Sequence, residues 1–233
     1  MSSDAFNQLK NELSCLSIGL LPSENEKLDI TYDESIWREK VKGYIVLSHA
    51  AFENYLEQLA IEIIKKAYDH YLITNQPNNL LLSLILSYKI HWPPLENDCI
   101  DCFWRKHIIK CNGRRKNIKI KLKEKSFKKM IKDVIYDYYK KGVIDENHGV
   151  REKHIEAIFS PLGYNINLLD VTFKNDLDRF CTLRGILAHT TTVSGTTTLL
   201  SPDEAKVLTR KLLGGNKNIW GFEDFDAQII TLL

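Results

Sequence analysis

The chain has 233 residues, 44% of them hydrophobic and 27% charged, with 32 Lys plus Arg against 30 Asp plus Glu; that balance suits a globular protein with a sizeable core and excludes disordered and fibrous classes. The longest apolar stretch, residues 80–86, is interrupted by Ser83 and falls far short of the ~20 residues a membrane-spanning helix needs. An acid at Asp4 with no basic-then-apolar run behind it argues against a secretory signal, so a cytoplasmic protein without membrane contact is expected.

A first helix is predicted after Ser3, with Phe6, Leu9, Leu13 and Leu16 on one side, ending near Gly19 and Pro22. Asp33 reads as the N-cap of a long helix. Its Ile45, Ser48, Phe52, Leu56, Leu59, Ile63 and Ala67 keep a 3/4 spacing, so one stripe should be buried for most of its length. No breaker intervenes before Asn75 and Pro77. About 40 residues at ~1.5 Å each give a rod of about 60 Å, more than one such domain needs, and part of it is expected to pack on a partner. A third helix is predicted over 79–90, stopped by His91, Trp92, Pro93 and Pro94.

A basic insertion follows at about 91–125. Residues 105–132 hold 13 Lys or Arg and one acid, Glu124, a net +12, leaving 19 bases and 29 acids to the rest of the chain. Arg114 adjoins Arg115, and Phe103, Trp104 and Phe127 are interleaved. Such density suits a polyphosphate partner, because each cation that neutralises a phosphate releases condensed counterions. The candidate nucleic-acid contacts are Arg114, Arg115, Lys116, Lys119, Lys121 and Lys123; the bland alternative is a solvated lysine-rich face. Residues 117–123 alternate apolar and cationic, the period of a strand with one wet face, so a short strand or extended arm is expected there. In the same insertion Cys99, Cys102, His107 and Cys111 nearly reproduce a zinc-knuckle spacing, but the last gap is one residue short and the internal glycines are missing. Five cysteines without an export signal read first as reduced thiols. That reading is preferred, and no cofactor is expected.

Helical period returns from Ser126 through Phe127, Ile131, Val134 and Tyr138 to Gly142, and again over 150–159, before Ser160, Pro161, Leu162 and Gly163. The most informative helix spans about 170–189, with Phe173, Leu177, Phe180, Leu183 and Leu187 as its buried stripe. The β-branched run Thr190, Thr191, Thr192, Val193 ends it. A last helix opens with Ser201, Pro202, Asp203 and Glu204, a capping box with Pro at the first position, and Gly214 and Gly215 close it. With no internal repeat and no linker, residues 1–233 read as one all-α domain carrying a basic insertion.

Arg184 and His189 stand five apart at the end of that informative helix, offset by about 140° and able to flank one cleft. Both lie off the apolar stripe, so truncating either should cost little stability. The helix dipole there favours a cation, whereas the neighbouring arginine opposes protonation of the histidine. Glu53, one turn after His49 on the long helix, can face the same way; an exposed acid and a partly buried histidine are the bland readings of the two. No P-loop, Gly-x-Gly-x-x-Gly, His-Glu-x-x-His or Gly-x-Ser-x-Gly occurs.

Three segments carry a resemblance: IEAIFSPLG at 155–163, Leu177-Asp178-Arg179-Phe180 followed by RGILAH at 184–189, and Phe52-Glu53 with Tyr55-Leu56 in the long helix. Together they resemble the HEPN superfamily, in particular its RiboL-PSP-like group, over roughly 35–75 and 150–192. The resemblance implies a HEPN-like helical bundle, a homodimer whose Arg/His helices meet across a two-fold axis, and a metal-independent endoribonuclease of the toxin or phage-defence type. On that reading Arg184 and His189 are catalytic, Glu53 supports them, RNA is the substrate, and an antitoxin or sensor protein is a possible partner. The residue after the arginine is usually polar in this family, commonly Asn, whereas here it is Gly185. The alternative is a non-catalytic HEPN-like module that binds RNA or a regulatory protein. Residues 78–148 and the tail resemble nothing further.

Overall fold

Helix α1, Asp4–Leu20, begins where Ser3 caps it: the Ser3 hydroxyl accepts from the Phe6 N–H at 2.9 Å, and Asp4 sits in the first turn, where the helix dipole favours an acid. The computed structural model describes residues 2–27, 34–89, 109–111, 114–116, 124–145, 149–189, 200–214 and 219–233. The proposed Asp33 cap lies outside these residues. After the single turn α2, Glu24–Lys27, comes α3, Glu34–Thr74, a helix of 41 residues.

Burial along α3 reaches from Val41 to Tyr71 and includes Tyr44, Ala60 and Ile64 beside the predicted stripe. The apolar surface is therefore broader than one stripe, and other helices of the same chain pack along it. Contacts within the chain account for this burial, while Leu47, Leu72 and Ile73 of the same helix stay exposed in the single chain.

Helix α4, Asn79–Lys89, starts with the Asn78 side chain accepting from the Leu81 N–H at 3.1 Å. In the basic insertion two short strands, β1 (Ile109–Cys111) and β2 (Arg114–Lys116), pair antiparallel with Ile109 opposite Lys116. They precede the strand predicted over 117–123, which lies outside the described residues. Helix α5, Glu124–Asp137, widens into a π-helical stretch, Tyr138–Asp145, so the winding continues past the expected stop at Gly142. The Tyr138 hydroxyl ties this stretch to α6, Glu152–Phe159, by donating to the Ile158 carbonyl at 2.7 Å.

A 3-10 turn, Ser160–Leu162, follows α6 and ends at Gly163, whose φ of 93° is left-handed. A Cβ there would also come within 2.8 Å of Ser83 Oγ, so both backbone and space demand glycine. Helix α7, Val171–His189, opens with the Asp170 carboxylate accepting from the Phe173 N–H at 3.0 Å. Helix α8, Pro202–Leu213, carries the predicted capping box, in which Ser201 and Glu204 bond each other's backbone N–H groups.

That helix is not the last. Phe222–Ile230 forms α9, with Phe222, Phe225 and Ile229 buried; the Asp224 carboxylate accepts from the Gly221 N–H at 2.9 Å and closes its first turn. Buried Asp226 accepts from the backbone and hydroxyl of Ser3 and from the Tyr55 hydroxyl. One carboxylate thus joins α9, the start of α1 and the middle of α3. Around it, Phe222 stacks on Phe52 at 4.9 Å between ring centroids and meets Phe173 edge-on at 5.1 Å, while Phe52 meets Phe180 at 5.6 Å. These pairs lock α3, α7 and α9 together, each worth ~0.5 to 1.5 kcal/mol beyond burial. The fold is all-α, a helical bundle built around α3.

Candidate functional site

Along α7 the buried positions are Phe173, Leu177, Phe180, Cys181 and Leu187. Arg184 follows Leu177 by seven residues and Phe180 by four, so helical geometry turns it toward the same interior side. It is half-buried, and its Nε is shut away from water and makes no hydrogen bond. This corrects the picture of an arginine off the apolar face: the guanidinium starts inside the bundle. A buried donor left without a partner costs ~1 to 3 kcal/mol, and an anion at this position would relieve that cost.

Across from α7, His49 of α3 is buried, with its ring stacked on Phe180 at 6.0 Å. Its Nε2 lies 3.8 Å from Cys181 Sγ, and its Nδ1 lies 3.9 Å from Glu53 Oε2. Burial first, then the positive Arg184 and His154, push the His49 pKa down to about 4. At neutral pH the ring is uncharged. The Cys181 thiol is pushed up, chiefly by burial, which makes it a packing group and not a nucleophile.

Helix α6 supplies His154. Its ring lies against Gly149 so closely that a Cβ there would come within 2.6 Å. Three helices therefore bring His49, His154 and Arg184 to one electrostatic neighbourhood, with Glu53 at its edge. Glu53 is placed beside His49 as the i,i+4 spacing implies. Sequence reasoning gave His49 little weight and did not single out His154; only its position in the IEAIF helix hinted at it, because residues more than 100 apart share no periodicity.

His189 is the last residue of α7; its side chain lies outside the described part of the structure. Its backbone position, five residues past Arg184, is about 7.5 Å further along the axis. Gly185 lies between them, and a Cβ built on it would meet nothing within 4 Å. Neither the backbone nor crowding requires glycine there, and a larger side chain would enter open space. Arg114, Arg115 and Lys116 form β2, while Lys119, Lys121 and Lys123 lie outside the described residues, as do Cys99, Cys102 and His107; Cys111 ends β1.

A protein-family model described as RiboL-PSP-HEPN matches residues 6–214. The match runs well beyond 35–75 and 150–192, the ranges covered by the resemblance, taking in α1, the basic insertion and α8. No curated protein and no solved structure matches the chain.

Proposed function

Since the chain belongs to the RiboL-PSP-HEPN family, which points to an RNA-related function, we propose that it is a metal-independent endoribonuclease of the toxin or phage-defence type. The observation that carries this reading is the half-buried Arg184, its Nε without a hydrogen-bond partner, five residues before the histidine that ends the same helix. In the proposed mechanism the ribose 2′-OH attacks the adjacent phosphorus and the 5′-oxygen leaves. His189 moves the proton, and Arg184 neutralises charge growing on the phosphoryl oxygens. Helices α7 from two protomers meet across a two-fold axis, so each site draws on both copies. Neutral His49 and Glu53 hold the inner wall in place.

Purified protein incubated with RNA in EDTA should give products ending in 2′,3′-cyclic phosphate. Arg184→Ala and His189→Ala should each lower the rate by at least ~10²-fold. Because Arg184 is half-buried, melting curves of Arg184→Ala and Arg184→Lys belong beside the assay to separate lost chemistry from lost packing. Cleavage of a 2′-deoxy linkage, or full activity in His189→Ala, would exclude the mechanism. Open space at Gly185 favours one other reading, a non-catalytic module that binds RNA or a regulatory protein, and RNA binding without cleavage would select it.

A further inference from the structure

On the other side of α3 from His49, a cavity of about 330 Å³ opens between α1, α3 and α8. Tyr44 stands at its base, five residues before His49, which places the cavity about 140° around α3 from the Arg184 neighbourhood. The Tyr44 hydroxyl and Thr209 Oγ1 are 2.6 Å apart and buried, so the floor is fixed.

Lys10 from α1 and Lys206 and Arg210 from α8 line this cavity, and no acid does. Among the described residues none of the three has a carboxylate within ion-pair distance. Lys10 is held over the Phe6 ring, 4.9 Å from its centroid. Nearby acids are committed elsewhere: Asp203 pairs with Lys27 at 2.6 Å, and Glu204 closes the capping box. Three cations converging on one concave space without counter-charge repel one another, and a bound anion removes that repulsion. The Ser14 and Ser17 hydroxyls on the α1 wall add donors of the kind that hold phosphate oxygens.

We infer that this cavity is a phosphate-binding site for a ligand about the size of a nucleotide. Its volume is at the low end of small-molecule pockets, ~300 to 1,000 Å³, and larger than a bare phosphate fills. Leu13, Ile18 and Leu213, on the same two helices as the cations, add apolar surface to the lining, suited to the flat face of a base. The phosphate comes either as the monoester of a free nucleotide or as the diester of an RNA backbone. The site does not depend on the nuclease reading, and a protein that fails to cleave RNA leaves the inference intact.

Calorimetric titration of the full chain with inorganic phosphate, 5′-AMP, adenosine and a 2′-O-methyl hexanucleotide lacking terminal phosphates tests it, the last probe being resistant to 2′-OH attack. Binding of 5′-AMP should be displaced by phosphate, and should weaken on the order of tenfold or more in Lys206→Ala/Arg210→Ala, the loss expected when charged hydrogen bonds are removed. Lys10→Gln, on a different helix, should weaken it too. If the double variant instead loses hexanucleotide affinity and 5′-AMP never binds, the ligand is the backbone diester. Adenosine binding as well as 5′-AMP, or both phosphate probes binding the double variant and Lys10→Gln as they bind the parent, overturns the site.

Discussion

A buried histidine that stays neutral makes stability depend on pH in one direction. The His49 pKa is near 4 in the folded chain and ~6.5 when unfolded. Above pH 6.5 neither state binds the proton. As the pH falls from about 6.5 to about 4 the unfolded chain takes it up first, and stability is lost by an amount on the order of 3 kcal/mol. Urea melts at pH 7, 5.5 and 4.5 should show this slope, and His49→Gln should flatten it; an unchanged slope in the variant would place the dependence elsewhere. Gly185 is a second residue with a direct test. A Cβ there meets nothing within 4 Å, so Gly185→Ala should raise stability by about 0.5 to 1 kcal/mol through helix propensity alone. A destabilised variant would mean that the open space is occupied in the working protein, as by a second copy at the proposed axis.

Elements were legible to different degrees. Caps that rest on local chemistry are where the residues put them: Ser3 begins α1, and the Ser201 to Glu204 box begins α8. Helix α9 escaped notice because the reading stopped at the glycines near 214, although Phe222, Phe225 and Ile229 already carry a 3/4 spacing. Its place in the core is set by Asp226, whose partners Ser3 and Tyr55 are far away in sequence. The π-helical winding of Tyr138–Asp145 has no residue signature, since hydrophobic spacing alone does not tell α from π turns. The basic insertion contributes β2 with Arg114 and Arg115. Replacing Arg114, Arg115, Lys119 and Lys121 by alanine should weaken RNA binding and reduce the slope of log affinity against log salt, by up to ~0.7 for each phosphate contact to single-stranded RNA that is lost. An unaltered salt slope would give the insertion another role.

For the molecule as a whole, the homodimer is a proposal with a simple check. Light scattering at micromolar concentration should give about twice the 27.0 kDa of one chain, and mixing Arg184→Ala with His189→Ala protein should restore part of the cleavage if each site draws on both copies. A monomer, or no recovery in the mixture, removes the composite site. The all-α class, most of the helices and the family were readable from the sequence alone, because periodicity, caps and the Arg-x4-His spacing are local properties of the chain. Only the tertiary structure decided that α3 is buried over much of its circumference by its own chain, that Arg184 turns inward, and that His49 lies close enough to Arg184 and His154 to feel their charge. Those outcomes rest on contacts between separate helices, many of them far apart in sequence, where distance and burial, not pattern, set the packing and the electrostatics.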